Sequence, residues 1–175
     1  MKIFAAVLIS AFLLLPFQTQ AREADEPMPQ GYVLKPGEGE VLFDDFSTVI
    51  KASPKTGTQG MVLIQGKDTP GGTSGVHVHL IADELFYIIG GVGRILIGTE
   101  EYEISTGDVI FVPAGTDHKV SSSVDDPLEM IFIVDRPGLE EQFRLEAQGL
   151  DRTKMTLEEF NEIAHKYGTV YKSFD

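Results

Sequence analysis

Between Gly31 and Val134 the apolar residues arrive in short β-branched and aromatic runs, each stopped by Gly, Pro or Asp. The runs fall at residues 32–35, 41–43, 48–52, 61–65, 76–80, 84–89, 94–97, 102–104, 109–112, 119–122 and 128–134. None is long enough to repeat at helical spacing. A strand must pair its backbone groups with neighbours, and short strands with turn signals between them close into sandwiches or barrels. The expected fold class is therefore all-β, as one domain over residues 31–175, because no linker separates a second. Gly90-Gly91-Val92-Gly93 leads into the run at 94–97 and not into a helix. It reads as a hairpin turn, not a phosphate loop.

The period changes after Pro137. Residues 137–148 suit a helix with proline in its first turn and Gly149 beyond its end. A second helix is better marked. Thr156 and Glu159 form a capping box, and Met155 can staple onto Phe160. Leu157, Phe160, Ile163, Ala164 and Tyr167 make one apolar stripe, and Gly168 stands at the C-cap position. These two helices, within residues 137–168, are expected to cover a barrel face or a partner subunit.

The N-terminus has a different character. Lys2 precedes an apolar stretch, residues 3–17, interrupted by Ser10 and Pro16, and Gln18-Thr19-Gln20-Ala21 follows. That is the layout of a secretory signal peptide over residues 1–21. The stretch is shorter than the roughly 20 residues that span a bilayer. Residues 22–30 read as a flexible lead-in. A secreted or periplasmic location is expected, with no membrane attachment after cleavage.

Charge and composition exclude several functions. Asp plus Glu number 27 against 14 Lys plus Arg, giving a net charge of −13. No basic cluster is present to displace counterions from a phosphate backbone, so no nucleic acid is expected as partner. Cysteine is absent. Any metal must be held by nitrogen and oxygen.

Three of the four histidines, His77, His79 and His118, lie close to glycine-rich turns, with Glu84 between them. Two residues apart on a strand, His77 and His79 share a face. An antiparallel return can bring Glu84 beside them, and the Pro113-Ala114-Gly115 turn can aim His118 at the same point. Three imidazoles and one carboxylate suit one divalent metal ion, Fe, Mn, Ni or Co ahead of Zn, with positions left for further ligands. The centre would carry one net positive charge. It would favour a small-molecule substrate that is anionic or chelating through oxygen. If Glu84 faces inward, Phe86 and Ile88 do so too and line a substrate pocket. Arg94 could meet a substrate carboxylate there. Asp83 and Asp117 read as turn residues, and His165 stands apart on the second helix.

Residues 71–91 match the motif G-x5-H-x-H-x4-E-x6-G at Gly71, His77, His79, Glu84 and Gly91. Residues 107–118 match G-x5-P-x-G-x2-H at Gly107, Pro113, Gly115 and His118. This pair of motifs resembles the cupin superfamily, although Ser122 stands where the second motif usually ends in asparagine. The resemblance implies a double-stranded β-helix (jelly-roll) barrel with the metal in its interior, and often a homodimer. The ending R-P-G-L-E-E-Q-F with K-Y-G resembles cupins grouped with quercetin 2,3-dioxygenase. That likeness implies an oxidoreductase or dioxygenase acting on an enolisable or phenolic molecule, with Glu84 doubling as a catalytic base. A redox-neutral isomerase, lyase or cyclase, and a binding protein without chemistry, remain open on the residues alone.

Overall fold

The computed structural model describes residues 30–43, 45 and 47–175. The expected signal peptide, residues 1–21, and most of the lead-in lie outside them. Eleven strands and two α-helices are described. They are β1 (Glu40–Val41), β2 (Thr48–Ala52), β3 (Val62–Lys67), β4 (His77–His79), β5 (Glu84–Gly90), β6 (Val92–Ile97), β7 (Glu100–Ser105), β8 (Val109–Val112), β9 (His118–Ser122), β10 (Glu129–Val134), α1 (Leu139–Ala147), α2 (Leu157–Ala164) and β11 (Thr169–Tyr171). No helix among the described residues is long and apolar enough to cross a membrane.

Two antiparallel sheets make the double-stranded β-helix. One has the order β1-β2-β3-β10-β5-β8 and the other β11-β4-β9-β6-β7. Alternation along the strands places the core between them. In β5, Glu84, Phe86 and Ile88 are buried while Tyr87 is exposed, and in β8, Ile110 and Val112 are buried while Val109 and Phe111 are exposed. Ile64, Ile88, Ile95, Val120, Leu128 and Phe132 are central members of this core. Burying a side chain of that size stabilises a fold by about 1.5–3 kcal/mol.

The chain changes sheets repeatedly, which corrects two readings. Residues 90–93 do not form a hairpin, since β5 and β6 belong to different sheets. Gly91 is the corner between them, at φ 78°. A Cβ there would sit 2.1 Å from the Pro127 carbonyl oxygen, so only glycine lets the two segments pass. Likewise β5 is not an antiparallel return beside β4. Glu84 reaches the histidines across the barrel from the facing sheet.

Residues 32–35 form no strand. Lys35 and Glu38 close a turn after them, and Tyr32 is exposed, its hydroxyl donating to the Lys51 carbonyl. With no sheet edge alongside, β propensity has nothing to act on. The first C-terminal helix starts two residues later than expected, at Leu139, after Gly138 at φ 148°. The second has the expected capping box, with Thr156 Oγ1 accepting from Glu159 N and Glu159 returning to Thr156 N. Phe160, Ala164 and Tyr171 form a separate small core, with Met155 and Leu157 packed against it.

Candidate metal centre

The three histidines come from one sheet. His77 and His79 are on β4, and His118 opens the adjacent β9, directly opposite His77 in register. Glu84 opens β5 of the other sheet. Val78, between the two histidines, faces away from them, as strand alternation requires. All four side chains are buried, none more than 6% exposed. One ligand atom from each lies within 4.8 Å of the others, a group that could hold a metal ion.

The loops around the cluster are latched together. Ala114 N donates to Asp83 Oδ1 at 2.8 Å, and Asp83 N donates to Asp135 Oδ1 at 3.0 Å. Gly115 N donates to the His79 carbonyl at 2.8 Å. The 113–115 turn thus binds β4 directly and sets where His118 enters β9. Asp83 acts in this latch as a turn residue, and Asp117 pairs with Lys172.

Hydrogen bonding decides which ring nitrogens are available. His77 Nδ1 lies 3.0 Å from the Gly75 carbonyl oxygen, and His118 Nδ1 lies 2.9 Å from that of Thr116. A carbonyl only accepts, so both Nδ1 atoms carry hydrogen. His79 Nδ1 lies 3.0 Å from Thr169 Oγ1. The Nε2 atoms of His79 and His118 both approach Glu84 Oε2, at 3.1 Å and 3.0 Å. With hydrogen on Nδ1, a neutral His118 turns the Nε2 lone pair toward this carboxylate oxygen, a repulsive contact unless a positive charge lies between them. Either a proton or a divalent cation supplies it.

The electrostatics follow from this. Burial alone would push the Glu84 carboxyl up, but hydrogen bonds from His118 and His79 outweigh it and hold the group ionised, well below the usual carboxylate range. Burial opposes charge on His118 as well, yet the Glu84 hydrogen bond and charge raise its pKa above the ordinary value. His77 is pulled down to about 3, first by desolvation and then by positive charge on His118 and His79.

The donor set fits a divalent ion. It offers three nitrogens and one anionic oxygen, and each imidazole has its second nitrogen tied by an outer partner, as ligating histidines generally do. Donors on one ion at roughly 2.0–2.2 Å stand at most about 4.4 Å apart, so the cluster needs only a small contraction to close.

The expected pocket residues divide. Phe86 and Ile88 do face inward, but as core. Phe86 packs on Phe132 with centroids 6.1 Å apart and lies 6.5 Å from the His118 ring, while Ile88 is fully buried. Arg94 corrects the sequence reading. It stands on the outer face of β6, 58% exposed, beside Glu101 and Glu103 at 3.5 Å and 3.8 Å. Its neighbour Ile95 is the inward residue. A cavity of about 330 Å³ is lined by His79, of the four cluster residues, together with Ile81, Val134, Arg136 and Lys166.

Two site features escaped the sequence reading, strand β11 and Gln142. β11 was not expected, because Thr169-Val170-Tyr171, though β-branched and aromatic, is too short a run after a C-cap glycine to read as a strand. It brings Thr169 to His79, and it stacks Tyr171 on His77 with centroids 5.2 Å apart and planes 20° apart. Gln142, buried on α1, donates to the Tyr171 hydroxyl at 2.8 Å. Ser122, in the place of the usual asparagine, accepts from Leu128 N at 2.7 Å and so ties β9 to the chain entering β10.

Comparison with known proteins places these residues in a family context. Residues 67–134 match the family described as Cupin domain. The chain is 31% identical over 122 residues to a quercetin 2,3-dioxygenase of Bacillus subtilis, covering 66% of this chain and 35% of that protein. It is 32% identical over 56 residues to an uncharacterized protein of Methanocaldococcus jannaschii, covering 32% of this chain and 45% of that one. The matched stretches thus span less than half the length of these relatives. Among solved structures, a cupin protein from Bacteroides fragilis aligns with a TM-score of 0.42 at 25% identity, over 45% of this chain and 68% of that one.

Proposed function

The chain is a cupin, matched over residues 67–134, and on that premise we propose that it is an exported metal-dependent oxidoreductase of the dioxygenase type. Its substrate is a small enolisable or phenolic molecule that offers oxygen donors to the metal. The observation that carries this reading is the convergence of His77, His79 and His118 from one sheet with Glu84 from the other, each imidazole tied at Nδ1. The likeness to the Bacillus subtilis quercetin 2,3-dioxygenase supports the choice of reaction class, and the apolar stretch at residues 3–17 supports export.

An Fe, Mn, Ni or Co ion held by these four residues supplies a Lewis-acid centre and the redox capacity that dioxygenation needs. The protein's own groups do the rest. The three histidines fix the ion's position through their tied rings. Glu84, on loosening from the ion, receives the hydroxyl proton of the entering substrate. Phe86 and Phe132 keep the inner side of the site dry, which strengthens each charge interaction there. Substrate enters through the cavity beside His79, whose volume suits a small molecule.

A second copy of the chain is part of the reading. Tyr87, Ile89, Val109 and Phe111 are exposed on the outer face of the first sheet, an apolar surface of the kind that subunits cover.

The test is turnover of a panel of flavonols, catechols and 1,3-diketones by protein reloaded with each of the four metals, in air and under strict anaerobiosis. Substrate loss with O₂ consumption in air, and none without O₂, is the expected result. Turnover that continues without O₂ would replace the dioxygenase reading with a redox-neutral one. A panel recovered unchanged under all conditions would leave a binding protein.

A further inference from the structure

Strand β4 carries two of the three histidines, yet it is held mainly from its C-terminal side. Its register with β9 consists of the single pair His77–His118. With β11 it pairs along its whole length, Thr169 opposite His79, Val170 opposite Val78 and Tyr171 opposite His77. The pairing extends past both ends, since Leu80 N donates to the Gly168 carbonyl at 2.8 Å and Lys172 N to the Val76 carbonyl at 2.7 Å. Gly75, at φ 76°, lets the chain pass close beneath this segment, for a Cβ there would stand 2.5 Å from the Ser173 carbonyl oxygen.

Residues opposite one another in an antiparallel pair share a face. Thr169 and Tyr171 therefore point toward the metal cluster with His79 and His77. Thr169 is fully buried and His79 nearly so. The three histidines are not anchored alike. His77 and His118 each use a backbone carbonyl two residues away in their own chain segment. His79 uses a side chain 90 residues later, beyond residue 134, where the family match ends.

We propose that Thr169 is a positioning residue of the metal centre. Its hydroxyl holds the His79 ring with Nδ1 toward β11 and Nε2 toward the metal, so that the C-terminal strand is a working part of the site. The inference rests on the metal-centre reading above. With Nε2 engaged by the ion, Nδ1 keeps its hydrogen and donates it to Thr169 Oγ1. Outer partners of this kind commonly set metal affinity within about 10–100-fold.

The test is Co(II) affinity and the visible Co(II) absorption spectrum of full-length protein, compared among wild type, Thr169→Val and Thr169→Ser. Valine keeps the shape and strand propensity of threonine and removes the hydroxyl. Serine keeps the hydroxyl. The expected result is affinity about 10–100-fold weaker in the valine variant, with an altered spectrum, and both restored by serine. Thermal melting of the metal-free proteins accompanies the titrations, so that a general loss of structure is separated from a local one. Thr169→Ala replaces the valine variant should that one fail to fold. Equal affinity and spectrum in wild type and Thr169→Val would overturn the inference and leave the metal centre standing. Serine behaving like valine would also overturn it. Wild-type protein that takes up no Co(II) would overturn the metal-centre reading and this inference together.

Discussion

Glu84 Oε2 lies 3.0 Å from His118 Nε2, and the two residues open strands in opposite sheets. The bond crosses the barrel interior and makes the site part of what joins the sheets. Replacing His118 with Ala leaves a fully buried carboxylate with one of its two partners. The metal-free variant is expected to be less stable by about 3–5 kcal/mol, the usual cost of breaking a buried ion pair from one side. Urea unfolding measures it. Replacing Glu84 with Gln at the same time removes the stranded charge and should recover part of the loss.

The site's titration sets a pH dependence with two opposing parts. His77 is neutral in the folded protein down to about 3, against an ordinary value of 6.5. Between those pH values the unfolded chain binds the extra proton, so the metal-free fold loses stability as pH falls through that window. His118, whose pKa is raised, contributes stability that is full below its ordinary value and lost as pH rises through its folded one. Denaturation curves from pH 7 to 3.5 should show stability falling with acid, and His77→Gln should flatten that fall. Metal affinity should rise with pH as the proton leaves His118, because proton and ion compete for Nε2.

Much of this was legible in the sequence because it depended on local spacing. The i, i+2 period of β4 put His77 and His79 on one face, and the Pro113-Ala114-Gly115 turn marked where His118 enters, whereas the antiparallel return expected for Glu84 is replaced by an approach from the facing sheet. The Thr156–Glu159 capping box is equally local. What the sequence did not disclose depends on which strands meet. Gly91 turns a corner between sheets where a hairpin was expected, since a glycine pair serves either geometry. Arg94 points outward because Ile95, one residue on, takes the inward place. Thr169 and Tyr171 reach the site only through the pairing of β11 with β4, a contact between segments about 90 residues apart.

Ile88 separates pocket from core. It is fully buried in the main apolar cluster. Ile88→Ala should cost about 2–5 kcal/mol, as a cavity left in a packed core does. Co(II) affinity should stay near wild type, because Ile88 is not among the ligands. A large loss of affinity with little loss of stability would return Ile88 to the site.

The outer face of the first sheet makes a separate prediction. Leu85 of β5 pairs with Phe111 of β8, and Tyr87 with Val109, which brings these side chains together on the solvent side. Phe111→Glu places a charge in the middle of that apolar surface. Sedimentation of wild type is expected to give a dimer and of Phe111→Glu a monomer, with unchanged metal binding. A wild-type protein that sediments as a monomer at all concentrations would remove the dimer from the account.

The central claim is that His77, His79, Glu84 and His118 hold one metal ion, and elemental analysis tests it most directly. Wild type and the single alanine variants of all four residues are reloaded with Co(II) or Ni(II), dialysed against metal-free buffer near pH 7.5, and assayed for bound ion per chain. The account predicts close to one ion per wild-type chain, and in each variant either no retained ion or binding weakened by more than about 100-fold, beyond the reach of outer-shell changes. Wild type that retains no ion, or variants that retain as much as wild type, would contradict it.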